Sequence, residues 1–119
     1  MQVASFNVNI TSEKPEELFR FYHEIVELPL NTEMGDHALD VGGAVLLVDG
    51  HSETKGRTPQ PQRMLLNFFV EDLAAEQARL EGHGVEFVRK AGKEYWGGVI
   101  STFVDPDGNY CQLIEYQPE

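Results

Sequence analysis

The stretch FVDPDGNYCQLIEY, residues 103–116, carries the clearest structural signal in the chain. Within it, Pro106 presets the backbone of a turn and Gly108 can adopt the left-handed conformation, so the DPDGN segment predicts a tight hairpin. The apolar residues on either side of the turn predict two strands, at residues 97–104 and 110–116. The C-terminal part of the chain is therefore expected to end in an antiparallel pair.

Further towards the N-terminus, the first half of the chain predicts a strand, a helix and three short strands. In residues 3–10 apolar and polar side chains alternate, as in a strand with one buried face. Pro15 favours the first turn of a helix, whose apolar side chains recur every three or four residues as far as Leu28 before Pro29 ends it. Glycines then separate predicted strands at residues 30–34, 37–41 and 44–48.

The second half repeats this order after a polar segment, residues 51–63, which predicts an exposed linker. An apolar strand is expected at residues 65–70. A helix follows from Leu73, and Asp72 is placed to cap it. A strand at residues 85–89 then leads to the C-terminal hairpin.

This repetition predicts an α+β fold made of two βαβββ modules, at about residues 1–50 and 64–119. A faint sequence echo supports it, because FNVNI aligns with MLLNF so that Asn9 matches Asn67, and GGAVLLV aligns with DGNYCQL. Neither module has enough apolar surface to stand alone. We therefore expect a single domain, residues 1–119, in which the modules join into one curved mixed sheet with the helices on its convex side.

Composition narrows the range of partners. The 119 residues include 9 Lys and Arg against 20 Asp and Glu, which gives a formal net charge of -11. Nucleic acids and anionic membrane surfaces are therefore not expected as partners, whereas a cationic small molecule is compatible. No apolar run approaches the roughly 20 residues that span a bilayer. Since Cys111 is the single cysteine, no internal disulfide can form and a cytoplasmic location is expected.

Two segments together resemble a known family. KPEELFRFYHEIVELPL, residues 14–30, resembles the D-P-x-x-x-x-x-F-Y-x-x-x-L-G-L-P helix of the vicinal oxygen chelate superfamily, and residues 103–116 resemble its F-x-D-P-D-G-N hairpin. The superfamily includes glyoxalase I, bleomycin-resistance proteins and extradiol dioxygenases, so the resemblance specifies a fold but not a chemistry. It implies a glyoxalase/bleomycin-resistance-like fold and a homodimer.

The helix motif differs from this sequence at two points. Lys14 stands where the family often has an acidic residue, so Ser12 or Thr11 is expected to cap the helix instead. The usual Leu-Gly pair at the helix end reads Val26–Glu27, a difference expected to matter little.

Metal-dependent members of this superfamily carry one ligand on the inner face of each of four strands. Matching the motifs gives Asn7, Leu47, Leu65 and Gln112 as the corresponding positions. Leucine has no donor atom and a neutral amide is a weak ligand for a divalent cation. The resemblance therefore predicts a chain without this metal site, and no cofactor is expected.

Strand alternation around these positions predicts an apolar and aromatic inner surface with a few amides, which is typical of a site for an organic molecule. Trp96 is expected beside its opening, where it could stack on a planar ligand, although the aromatic residues could equally be core or dimer contacts. The candidate ligand-binding residues are Asn7, Asn9, Leu47, Leu65, Asn67, Phe69, Trp96, Tyr110 and Gln112.

Two functions from different classes follow from this surface. The first is a metal-free, bleomycin-resistance-like binding protein that sequesters an aromatic or cationic molecule, for example an antibiotic. The alternative is a lyase, isomerase or dioxygenase of the same superfamily, acting on a small metabolite through His51, Tyr110 or Glu115 or through a rebuilt metal site. No catalytic residue is assigned, and an accessory protein without activity is also compatible with the sequence.

Overall fold

The computed structural model describes residues 1–116, in which the strands form two separately hydrogen-bonded sheets. The chain divides into two units, Met1–Gly56 (unit 1) and Arg57–Glu119 (unit 2), and the boundary falls within the expected linker. Each unit contains one sheet and one α-helix, which confirms the α+β class. The joining of the two sheets into one stays a prediction.

Unit 1 has a three-stranded sheet in the order β1-β3-β2, with β1 parallel and β2 antiparallel to β3. The side chains of Leu18, Tyr22, Leu46 and Val48 are buried, and α1 contacts β3, so the core of this unit lies on the helix side of the sheet. Its elements are β1 (Asn7–Ser12), α1 (Pro15–Arg20), β2 (Ala38–Val41) and β3 (Ala44–Gly50).

Unit 2 has a four-stranded sheet in the order β4-β7-β6-β5, in which β4 and β7 are parallel and the other pairs antiparallel. Helix α2 contacts β5, β6 and β7. Leu73 and Leu80 of α2 are buried together with Phe103, Cys111 and Leu113 of the sheet. The elements are β4 (Leu65–Phe69), α2 (Leu73–Gly82), β5 (Phe87–Lys93), β6 (Gly98–Val104) and β7 (Tyr110–Tyr116).

The ladders of the two units share one register. In unit 1 Asn9 lies opposite Leu47, and in unit 2 Asn67 lies opposite Gln112, in both cases across a parallel pair of strands. The sequence echo predicts that Asn9 corresponds to Asn67 and Leu47 to Gln112, and the pairing adds that each unit joins its two residues in the same way. The repeat is therefore a repeat of backbone pairing, although the sheet of unit 1 has three strands and that of unit 2 has four.

The first helix starts and ends differently from the prediction. No side chain caps α1. The Ser12 hydroxyl accepts a hydrogen bond from the backbone N–H of Lys14, the residue before the first helical residue, at 2.9 Å. The Thr11 hydroxyl is hydrogen-bonded to the hydroxyl of Thr54. The α-helix ends at Arg20 rather than near Leu28, and the chain continues as a π-helical turn over Phe21–Ile25.

The replacement of the Leu-Gly pair by Val26–Glu27 was expected to matter little, and this expectation is wrong. Glu27 has a φ of 70°, the left-handed conformation that glycine adopts most easily. The Leu28 N–H then donates to the Tyr22 carbonyl at 3.0 Å. The position where the family motif has glycine is therefore a strained one in this chain.

Two strand predictions in unit 1 are corrected by their partners. The first strand begins at Asn7 rather than at residue 3, because only residues from Asn7 onwards find a partner on β3, and Phe6 is left exposed. The strand expected at residues 30–34 is reduced to a single bridge between Leu30 and Leu39. After it, the Asn31 side chain accepts from the Met34 N–H at 3.1 Å, which turns the chain away from the sheet.

The strand expected at residues 85–89 extends instead over Phe87–Lys93, with irregular pairing to β6 around Arg89. The C-terminal hairpin, in contrast, agrees with its prediction. Gly108 has a φ of 84°, and the buried Asp105 carboxylate accepts hydrogen bonds from the backbone N–H groups of Asp107 and Asn109, both at 2.9 Å. Asp72 likewise caps α2, accepting from the Ala75 N–H at 3.1 Å.

The segment expected as an exposed linker is hydrogen-bonded on both sides of the boundary between the units, which falls after Gly56. Within unit 1, the Gly56 N–H donates to the Glu13 carboxylate at 3.0 Å. Within unit 2, the Thr58 N–H donates to the Asp107 carbonyl at 2.9 Å. Residues 49 and 50 complete β3, and a 3₁₀ turn covers Pro61–Arg63. None of the helices in residues 1–116 combines the length and apolar character that crossing a membrane requires.

Candidate functional site

The face of the unit 2 sheet that lies away from α2 is arranged in rows. Each row consists of side chains from β4, β7 and β6 that lie opposite one another in the ladders. The central row carries hydrogen-bonding groups, and apolar side chains flank it on both sides. The rows are Leu65, Tyr110 and Val104, then Asn67, Gln112 and Thr102, then Phe69, Ile114 and Ile100.

A groove with a volume of about 440 Å³ lies where β4 and β7 end. Phe69 and Tyr116 on its wall are 72% and 61% exposed, whereas Ile114 is almost fully buried. Exposed aromatic rings around a concave apolar surface are typical of sites that bind organic molecules. The residues that line the groove are Phe69, Val70, Glu71, Ile114, Glu115 and Tyr116.

Trp96 lies on the same face, next to this groove. It belongs to the turn between β5 and β6, which is closed by a hydrogen bond from the Glu94 N–H to the Gly98 carbonyl at 2.7 Å. Its indole covers Gly98, where an added Cβ would overlap the ring, and it stacks on Tyr116 with ring centroids 6.3 Å apart and planes at 10°. The absence of a side chain at residue 98 thus lets the indole lie flat on the sheet.

Acidic groups stand near this face, and they differ in how far they are engaged. Glu71, on the groove wall, is exposed. The Glu115 carboxylate accepts a hydrogen bond from the Leu73 N–H at 2.9 Å, so it stabilises the start of α2. Glu94 pairs with Arg89 at 2.8 Å. Glu71 is therefore the groove carboxylate most open to a cationic group.

Unit 1 carries the other three candidate residues. Asn7, Asn9 and Leu47 lie on one face of its sheet, opposite the face where Leu46 and Val48 are buried. Asn7 and Asn9 are exposed and Leu47 is half-buried. This face presents amides and aliphatic groups without the aromatic rings of unit 2, so the two faces offer different surfaces to a ligand.

The four positions that correspond to metal ligands do not fit a divalent cation. In each unit the pair consists of one amide and one leucine: Asn7 and Leu47 in unit 1, Gln112 and Leu65 in unit 2. Each half therefore offers at most one neutral oxygen donor, whereas such ions bind several anionic or imidazole groups. Within residues 1–116, no group of three or more His, Cys, Asp or Glu side chains is suited to a metal ion.

The candidate acid–base groups are engaged to different extents. In unit 1, His51 accepts from the Glu53 N–H through Nδ1 at 3.1 Å, so Nε2 is the nitrogen it presents to solvent. Tyr110 is half-buried in the first apolar row of unit 2. The Glu115 carboxylate is bound to the N–H of Leu73 at the start of α2.

Sequence reasoning did not include Tyr116, Gly98 or Thr102 among the site residues. Extending the alternation of β7 two residues beyond Ile114 would have indicated Tyr116. The pairing of Thr102 with Gln112 depends on the register between β6 and β7. Gly98 matters because the Trp96 indole lies over it, which depends on the conformation of the Trp96 side chain. Neither of these is a local property of the sequence.

Comparison with known proteins identifies the family. No curated protein sequence matches the chain significantly. Among solved structures, similar folds include a glyoxalase/bleomycin resistance protein/dioxygenase family enzyme from Burkholderia phytofirmans, with a TM-score of 0.75 and 18% identity over 93% of this chain and 97% of that one. A superfamily member from Sphaerobacter thermophilus has a TM-score of 0.73 and 16% identity over 97% and 98% of the two chains. A protein from the mobile metagenome of V. pseudocholerae has a TM-score of 0.72 and 21% identity over 99% and 98%.

At these identities the solved structures establish the fold alone, which is the glyoxalase/bleomycin-resistance-like fold expected from the sequence. The sequence model of one family extends the finding, because it matches residues 5–113, nearly the whole chain. The protein belongs to the Glyoxalase/Bleomycin resistance protein/Dioxygenase superfamily.

Proposed function

We propose that the protein binds a small organic molecule with an aromatic body on the open face of unit 2, without a metal ion. The observation that carries this proposal is the clustering of three exposed aromatic rings, Phe69, Trp96 and Tyr116, around a groove of about 440 Å³. Water in contact with exposed aromatic rings has restricted orientational freedom. A planar ligand that covers the rings releases this water, which favours binding. Sequestration of such a molecule is the function that this surface supports best.

Charge favours a ligand with a cationic substituent. The chain has a formal net charge of -11, and Glu71 stands exposed on the wall of the groove. A carboxylate beside aromatic rings attracts a cation through both its charge and the electron-rich ring faces. The remaining candidate residues of this face, Leu65, Asn67, Tyr110 and Gln112, continue the surface away from the groove.

Titration with benzyltrimethylammonium, toluene and tetramethylammonium tests the proposal, with emission from Trp96, the only tryptophan, as the signal. We expect benzyltrimethylammonium to quench the emission most strongly and to remain chemically unchanged during the titration. Phe69→Ala should weaken its binding about tenfold, because the variant removes one ring from the groove wall. The matched control is Met34→Ala, which removes an exposed apolar side chain from unit 1 and should leave the affinity unchanged.

A flat signal with all three compounds, or equal loss in the two variants, would contradict a binding site on this face. Conversion of any compound during the titration would favour the enzyme alternative. The lyase, isomerase or dioxygenase alternative has less support than binding, because the Glu115 carboxylate is bound to the start of α2 and the four ligand positions do not suit a metal ion.

A homodimer in the cytoplasm remains a prediction for this chain. Exposed apolar side chains such as Met64 and Leu65, at the start of an edge strand, are compatible with a contact between copies. Sedimentation velocity across a concentration series distinguishes a dimer from a monomer.

A further inference from the structure

The row of hydrogen-bonding side chains beside the groove is the starting point. Asn67, Gln112 and Thr102 lie opposite one another on β4, β7 and β6, between two rows of apolar side chains. A polar row within an apolar face is where hydrogen bonds can fix the orientation of a bound molecule, while the apolar rows supply contact area.

These side chains have unused hydrogen-bonding capacity. The Gln112 side-chain nitrogen donates to the Thr102 hydroxyl across a long 3.4 Å contact, which leaves its carbonyl oxygen as an acceptor. Gln112 is half-buried, and Asn67 is exposed with no hydrogen bond to another of residues 1–116 from its amide group. Two adjacent amides thus offer both donors and acceptors to a ligand.

The side chains of this row carry no charge. Arg89, which pairs with Thr102 in the ladder, extends its guanidinium towards Gly92 and is neutralised by Glu94 at 2.8 Å. The charge of Arg89 is already balanced by Glu94, so a charged ligand group on this row would give up its hydration without forming an ion pair there. An amide, hydroxyl or carbonyl group, in contrast, exchanges hydrogen bonds with water for hydrogen bonds with the two amides at little cost.

The distance between this row and the groove sets the size of the ligand. Phe69 and Ile114 lie two residues beyond Asn67 and Gln112 on the same strands and the same face, a step of about 7 Å. This is the length of a single aromatic ring with one short substituent. We propose that the ligand carries a neutral hydrogen-bonding group, of the carboxamide class, which Asn67 and Gln112 bind while its ring lies on Phe69 and Ile114.

This inference rests on the proposed function, and three probes with the same ring test it: benzamide, toluene and benzoate. Binding is followed by NMR through the side-chain amide signals of Asn67 and Gln112 in ¹⁵N-labelled protein. We expect benzamide to bind about fivefold more tightly than toluene and than benzoate, the difference that one or two neutral hydrogen bonds make. Only benzamide should shift both amide signals.

Gln112→Leu and Asn67→Leu should each remove the preference for benzamide without changing the affinity for toluene. Gln62→Leu is the matched control, since Gln62 is an exposed amide in the 3₁₀ turn of unit 2 and should leave the preference intact. Asn67 is exposed, so its variant should fold even where the half-buried Gln112 variant does not; the near-ultraviolet circular dichroism of Trp96 reports this.

The outcomes separate the two proposals. Equal affinity for the three probes, with binding still reduced by Phe69→Ala, would overturn the recognition of a neutral group and leave ring binding in place. A preference for benzamide that persists in both leucine variants would overturn the assignment of this row. No binding of any probe, together with a flat Trp96 signal for benzyltrimethylammonium, would overturn the proposed function itself.

Discussion

The two units follow one backbone plan but support it with different side chains. The same parallel register aligns Asn9 with Leu47 and Asn67 with Gln112. At the hairpin, unit 1 turns on Gly42–Gly43, both with positive φ, whereas unit 2 relies on the buried carboxylate of Asp105. The comparison teaches that pairing between strands sets the architecture, while each turn and helix end has its own local solution.

The same contrast extends to the open faces. In unit 1 the residue aligned with Phe69 is Thr11 and the residue aligned with Ile114 is Asp49, so polar side chains stand where unit 2 has a ring and an aliphatic side chain. Equivalent backbone positions therefore do not carry equivalent side chains. The predictions below test where the two units differ, in order of decreasing effect.

The largest difference concerns the aspartate that lies beside the hairpin turn in each unit, Asp105 in unit 2 and Asp40 in unit 1. Asp105→Ala should lower the free energy of unfolding by about 3 kcal/mol, because two backbone N–H groups and the Asn109 amide lose a buried acceptor. Asp40→Ala, next to the Gly42–Gly43 turn of unit 1, should cost less than about 0.5 kcal/mol, because the Asp40 side chain is exposed and its hydrogen bond from the Asn31 amide is exposed as well. Urea denaturation measures both values.

Asp105→Asn keeps one side-chain carbonyl oxygen as an acceptor, so this variant should lose less stability than Asp105→Ala. Equal destabilisation by the two alanine variants would show that the hairpins depend on their aspartates to the same degree, against this interpretation.

The helix ends give the second contrast. After α2, Gly84 has a φ of 82° and an added Cβ would meet no atom within 4 Å, so Gly84→Ala should cost about 1 kcal/mol through backbone strain alone. After the π-helical turn of unit 1, Glu27 has the same conformation without being glycine. Glu27→Gly should therefore raise the free energy of unfolding by about 0.5 to 1 kcal/mol.

Thermal unfolding of the two single variants checks these opposite signs. Glu27→Asn is a useful comparison, since asparagine tolerates this conformation better than glutamate. A loss of stability in both Glu27 variants would mean that contacts of the glutamate side chain outweigh the strain.

The helix starts give the smallest contrast. Asp72 caps α2, so Asp72→Ala should cost about 1 kcal/mol, whereas Lys14 leaves α1 without a side-chain cap. Lys14→Asp should stabilise the protein by about 0.5 kcal/mol by accepting from the first turn and by favouring the helix dipole. Chemical denaturation at two salt concentrations separates these contributions, because the dipole effect is screened by salt; no gain at either concentration would contradict the capping interpretation.

Local sequence signals predicted much of the fold. The Asp105 hairpin and the Asp72 cap depend on residues within four positions of each other, and they form as expected. The echo between Asn9 and Asn67 predicted which residues of the two units correspond, whereas their common parallel register was found only in the structure. The strand at residues 30–34 could not be predicted correctly, because the Asn31 side chain competes with the sheet for the backbone.

The candidate site was less accessible to sequence reasoning. Alternation predicts which residues of a strand share a face, and so assigned Asn67, Phe69 and Gln112 to one surface. It does not indicate how far each side chain is engaged. The bond from Leu73 to Glu115 and the stacking of Trp96 on Tyr116 join residues 42 and 20 positions apart, and such contacts arise only once the chain has folded.

Because Trp96 lies over Gly98, the residue at position 98 determines whether a relative can have the same aromatic surface. A relative could keep every aromatic residue and still lose the flat indole, because a methyl group at residue 98 would displace it. Another relative could replace the indole with a different ring and retain the surface, provided that the glycine remains. The second glycine of the Trp-Gly-Gly triplet is thus a better marker of the same flat aromatic surface than the number of aromatic residues.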